Sequence, residues 1–141
     1  MAKKLSTQRK GKRAEYEFFI MLLDRGYELF IPLADDNGVD ALVRLENGNI
    51  IEIQIKSRSP GVVNPNLFAD LNYKPGRSKY WFVFHNWKDD ADTWWLLSRK
   101  DFESKAKEDK EGKYSITLNP KNKTLDQYKL TCKRWKEFAL Q

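Results

Sequence analysis

The chain holds one cysteine, Cys132, and one histidine, His85. A single cysteine excludes an internal disulfide, and the two residues together cannot make a Cys/His zinc centre. No apolar run approaches the roughly 20 residues that cross a bilayer. The N-terminus "MAKKLSTQRKGKR" is basic, yet no apolar segment with a small-residue cleavage site follows it. No secretory leader is therefore expected, and the expected location is cytoplasmic. A Gly-rich phosphate loop, a Ser/His/Asp arrangement, internal repeats and low-complexity tracts are also missing, so P-loop and serine-hydrolase chemistry have no support.

What is present is charge. Of 141 residues, 26 are Lys or Arg and 20 are Asp or Glu, a net charge of +6. That excess favours a polyanionic partner, nucleic acid before membrane. A hydrophobic content of 40% supports a packed core, and the length suits a single domain over residues 1–141. Six Lys or Arg fall between residues 3 and 13. About residues 1–10 read as a basic tail. Lys10, Lys12 and Arg13 are candidates for holding a phosphate backbone.

Residues 12–24, "KRAEYEFFIMLLD", carry Ala14, Phe18, Phe19, Leu22 and Leu23 at helical spacing, and Gly26 ends the run. Strands are predicted at 27–33, 39–45, 50–56, 79–86 and 93–98, with a sixth at 113–118. Residues 60–78 read mainly as loop, with a short helix at 66–73. Residues 99–107 read as a helix. A closing helix is predicted near 124–139, with Leu125, Tyr128, Cys132, Trp135 and Ala139 as its buried stripe and Lys129, Lys133, Arg134 and Lys136 mostly off it. This order implies an α/β fold with a single mixed central sheet flanked by helices.

The second and third strands are joined by "ENG", Glu46 to Gly48. A three-residue hairpin loop commonly ends in a positive-φ residue, and Gly48 suits that place. Val43 then faces Ile51, Ala41 faces Ile53, and Asp40 falls beside Gln54. The shorter "NG" loop would pair Asp40 with Ile55 and turn one apolar face outward. In the chosen register the Asp40 and Gln54 Cβ atoms lie about 4.5–5.5 Å apart. Lys56 follows on the same face, about 7 Å along the strand. "IIEIQIK" thus sets three isoleucines on one face and Glu52, Gln54 and Lys56 on the other.

An Asp, an amide oxygen and a Lys converging at one strand end fit divalent-metal hydrolysis. Mg²⁺, or Mn²⁺ in its place, takes oxygen ligands, keeps waters and needs few protein groups. Asp40 and the Gln54 carbonyl are the candidate ligands. Lys56 is the candidate for orienting water and offsetting charge on phosphorus. Glu15 would add a carboxylate if the first helix packs near this end. Ser57 and Arg58 follow on the strand, within reach of phosphate.

"GKRAEYEF" with Glu15, "IPLADDNGVDALV" with Asp40, and "EIQIKSR" with Gln54 and Lys56 together resemble the PD-(D/E)XK nuclease superfamily, the restriction-endonuclease-like fold. The resemblance covers residues 11 to about 58. Gln54 stands where the superfamily's name expects Asp or Glu. A Gln-x-Lys version looks like Mrr-type restriction nucleases and some homing endonucleases, and Glu52 lies on the same face. The resemblance implies a metal-dependent endodeoxyribonuclease acting on DNA. It also implies a homodimer or higher homo-oligomer, because cutting both strands takes two sites. The alternative is a nucleic-acid-binding module of the same fold without catalysis.

Plainer readings exist for each residue. Asp40, Gln54 and Lys56 would also suit a solvated sheet face. Glu15 would suit an ordinary helix start. Asp35 and Asp36 suit a turn before the second strand, and either would stand in for Asp40. Tyr80, Trp81, Phe82, Phe84, Trp87, Trp94 and Trp95 read as core, His85 as a strand-end residue, and Cys132 as packing.

Overall fold

The computed structural model describes residues 6–34, 38–58, 64, 66–71, 73, 79–87 and 93–141. Helix α1 spans Thr7–Asp24, so Lys10 and its neighbours are helical from five residues before the predicted start at 12. The Ser6 hydroxyl accepts the Arg9 N–H at 3.4 Å and caps the first turn. At the other end Gly26, with φ 81°, lets Tyr27 and Gly26 donate back to the Leu22 and Leu23 carbonyls.

Five strands form the main sheet. They are β1 (Glu28–Phe30), β2 (Ala41–Arg44), β3 (Ile50–Arg58), β5 (Tyr80–Asn86) and β6 (Thr93–Ser98), side by side in the order β1-β2-β3-β5-β6. A second, three-stranded sheet runs β4-β8-β7, from β4 (Leu67–Leu71), β7 (Lys107–Glu108) and β8 (Tyr114–Thr117). β3 and β5 are parallel and the other neighbours antiparallel, so the predicted mixed sheet is observed. Every residue of β5 is buried, as a central strand covered on both faces requires.

The hairpin register is as derived, with Val43 opposite Ile51 and Ala41 opposite Ile53. Gly48 has φ 85° and donates to the Leu45 carbonyl at 2.9 Å. One core lies between α1, α3 (Cys132–Ala139) and the face carrying Ile51, Ile53, Ile55, Trp81 and Val83. Phe18 stacks there between Trp94 and Trp135, at 5.9 and 5.8 Å between ring centres. The other core packs Tyr80, Phe82 and Phe84 against β4, β8 and Phe102 of α2 (Arg99–Lys105).

Four elements depart from the sequence expectations. β1 is three residues rather than seven, because β2 begins only at Ala41 and offers Leu42, Val43 and Arg44 as partners. Ile31 and Leu33 are consequently exposed. Within residues 66–73, expected as a short helix, Leu67–Leu71 pair as a strand, with Phe68 edge-on to Phe84 at 4.8 Å. Asp70 takes φ 54° where the register with β8 shifts. Tertiary packing outweighs local propensity there.

The closing helix is two pieces, a 3₁₀ turn at Lys123–Tyr128 and then α3. Between them Leu130 donates to the Trp94 carbonyl at 2.9 Å, and Thr131 caps a new helix. The break resets the helical phase. Leu125, Tyr128 and Trp135 are buried as expected, but Cys132 and Ala139 are exposed, and Arg134 and Phe138 are buried in their stead. The fourth departure is α1 itself, which begins inside the region assigned to the basic tail.

Candidate metal and phosphate site

β2 begins at Ala41, and the preceding Asp40 extends the pairing by other means. Its N–H donates to the Ile53 carbonyl at 2.8 Å. Its Oδ2 accepts the Ile55 N–H at 2.6 Å. Asp40 is thus tied to the residues on both sides of Gln54, and the Ile55 N–H holds its carboxylate. A short bond from a carboxylate to a backbone N–H is a charge-assisted one.

Gln54 is only 2% exposed, so the solvated-face reading fails for it. Buried amides need partners. The oxygen of the Tyr80 hydroxyl stands 2.7 Å from Gln54 Oε1 and 2.6 Å from the Gly38 carbonyl oxygen. Gly38 has φ 68°, a conformation that glycine accepts readily, and it turns the chain into Asp40. One hydroxyl therefore joins the entry to Asp40, the Gln54 amide and the start of β5. Tyr73, whose ring lies 6.4 Å from that of Tyr80, donates its hydroxyl to Glu103. Burial, then the Glu103 carboxylate, push the Tyr73 phenol above its usual range.

Lys56 lies two residues on from Gln54, opposite Phe84, and is half-buried. It makes no ion pair among the described residues. Ser57 and Arg58 continue the strand to its end. The Arg58 guanidinium donates to the Asn64 carbonyl at 3.0 Å, while its buried Nε has no partner among the described residues.

Trp87 donates its backbone N–H to the Arg58 carbonyl at 3.0 Å, and the Arg13 guanidinium sits 4.9 Å from the Trp87 ring centre. The early turns of α1 are thereby fastened at the strand end where Lys56, Ser57 and Arg58 emerge. Lys12 and Arg13 are exposed and Lys10 half-buried on those turns.

The structure brings Asp40, Gln54 and Lys56 together. Glu15 lies on α1, two residues after the Arg13 that sits against Trp87. Its carboxylate pairs with Lys12 at 2.9 Å, on a helix packed against the sheet's other, apolar face. Asp35 and Asp36 lie outside the described residues. His85 is fully buried, stacked on Trp94 at 3.9 Å, and its Nδ1 accepts the Trp87 indole N–H. It is a core residue. Tyr80 was read only as core. The signal for more was the lone hydroxyl in the alternation Tyr80, Phe82, Phe84, on the same face as Gln54.

Asp40 and Gln54 offer hard oxygen donors, which suit Mg²⁺ or Mn²⁺. Among the described residues no three His, Cys, Asp or Glu cluster. That donor set fits a cation that keeps most of its waters, not a fully ligated one.

No family model matches this chain, and no curated protein sequence matches it. A solved structure does. A bacterial homing endonuclease, I-Ssp6803I, superposes with a TM-score of 0.67 over 96% of this chain and 95% of its own, at 18% sequence identity. The chain shares that protein's fold nearly end to end. No helix among the described residues is long and apolar enough to cross a membrane.

Proposed function

We propose that this chain is a metal-dependent endodeoxyribonuclease with the restriction-endonuclease-like fold. The observation that carries the reading is Lys56, a half-buried cation without an ion pair among the described residues, on the same strand face as a fixed carboxylate and a buried amide. An ammonium with no carboxylate partner among the described residues, on the strand face of two oxygen donors, suits a phosphate that brings negative charge. The fold shared with a homing endonuclease supports the same reading.

A divalent cation held by Asp40 and Gln54 would supply a polarised water and draw charge from the phosphate. The chain's own groups do the rest. The Ile55 N–H holds the Asp40 carboxylate. The Lys56 ammonium donates to the attacking water or to a non-bridging phosphate oxygen, where charge builds as water oxygen bonds to phosphorus and the P–O ester bond breaks. The basic side chains of Lys10, Lys12, Arg13 and Arg58, with the Ser57 hydroxyl, hold the flanking phosphates. Glu15, which pairs with Lys12, is the candidate for a further carboxylate ligand. Double-strand cutting would take two copies of the chain.

One observation favours a second reading, a DNA-binding module without catalysis. Asp40 Oδ2 is engaged by Ile55, and the Gln54 amide faces Tyr80. Supercoiled DNA incubated with Mg²⁺, Mn²⁺ or EDTA separates the two. Nicked or linear product with metal and none in EDTA supports the nuclease. Salt-sensitive binding with no product in any metal supports the module.

A further inference from the structure

The Tyr80 hydroxyl has one hydrogen, and among the described residues two oxygens stand at hydrogen-bond distance from it, at 2.6 and 2.7 Å. Both distances are those of full O–H···O bonds. One hydrogen cannot point at both oxygens. The Gly38 carbonyl can only accept, so the hydrogen belongs to it. Gln54 differs, because an amide can present either edge. Turning it by half a revolution replaces the oxygen with the NH₂ group, which donates to the lone pair that Tyr80 keeps. The Gly38 carbonyl and the Tyr80 hydroxyl then each have a partner of the right kind. Leaving two lone-pair oxygens in buried contact would be repulsive.

The turn has a consequence at the opposite edge of the amide. Among the described residues Tyr80 is the one side-chain partner of the Gln54 amide. With the NH₂ held by Tyr80, the carbonyl oxygen takes the edge that no described protein group occupies. We infer that Tyr80 is a positioning residue, which locks the Gln54 amide so that its oxygen, and not its NH₂, is presented as a ligand for a divalent cation beside Asp40. This rests on the metal-dependent reading above and explains how a neutral Gln can serve there. A carboxylate has two equivalent oxygens and needs no such lock. An amide has one right edge and one wrong one.

The test is a double-mutant cycle in Mn²⁺ and Mg²⁺ affinity, measured by calorimetry without DNA. The proteins are wild type, Tyr80→Phe, Gln54→Glu and the double variant, each checked for folding by thermal melts in EDTA. Removing an outer-shell partner of a ligand typically weakens metal binding by about tenfold or more. Tyr80→Phe should lose about that factor in the Gln54 protein. In the Gln54→Glu background the same substitution should leave affinity unchanged. Equal losses in both backgrounds would mean that the hydroxyl supports the fold alone, and would overturn the inference. So would unchanged affinity in Tyr80→Phe while wild type binds metal. Wild type that binds neither metal and cleaves nothing would remove the nuclease reading along with it.

Discussion

Asp40 and Ile55 are joined side chain to backbone: Oδ2 accepts the Ile55 N–H at 2.6 Å, a rung that β2 does not reach because it starts at Ala41. The carboxylate closes that rung and, in the proposed site, also serves as a ligand, and two substitutions separate these jobs.

Asp40→Asn keeps an oxygen for Ile55 and removes the charge. Asp40→Ala removes both. Leaving a buried N–H unsatisfied costs about 1–3 kcal/mol. Asp40→Ala should lose about that much in urea melts, and Asp40→Asn about 1 kcal/mol or less. Both should stop cleavage. Full activity in Asp40→Asn would show that no charged ligand is needed at this position.

The net charge of +6 and the basic turns of α1 predict salt-sensitive binding. Each phosphate neutralised on duplex DNA contributes a log–log slope of about −0.9. Arg13→Ala should reduce the slope magnitude by about one such increment. Titrations at several salt concentrations measure it. A flat dependence would remove DNA as the partner.

The hairpin was legible because the side-chain period of two admits only one register that keeps Val43, Ile51, Ala41 and Ile53 on one side. The same register places Asp40 beside Gln54 from the sequence alone. The helix stripe of Ala14, Phe18, Phe19 and Leu22 was legible for the same kind of reason. What could not be read was the phase break at Lys129 to Thr131. It depends on Leu130 bonding to the Trp94 carbonyl, a contact between segments far apart in sequence. The role of Tyr80 was hidden likewise, since it arises from three distant segments meeting.

Arg134 illustrates what that break conceals. It is buried, donates to the Leu96 carbonyl at 2.7 Å, and pairs with Asp101 and Glu137. Arg134→Ala should destabilise the fold by about 3 kcal/mol, because it strips the backbone acceptor and Asp101 of their partner. An unchanged urea midpoint would show that the cluster contributes nothing net.

Cys132 tests the same break by a different route. Its side chain is exposed on α3. The folded protein should react with an aromatic disulfide reagent as completely as the unfolded one. Protection until unfolding would restore the continuous helix and its buried stripe.

The central claim is that Asp40, Gln54 and Lys56 form a hydrolytic site. Lys56→Met tests it most directly, because it keeps the apolar stem and removes only the ammonium. Single-turnover cleavage of bound plasmid in Mg²⁺ should fall by about a hundredfold or more, the scale of losing one group that offsets transition-state charge. Binding of the same DNA in EDTA should persist, and wild type in EDTA should not cut. Wild-type cleavage rates in Lys56→Met, or metal-independent cleavage by the wild type, would contradict the account.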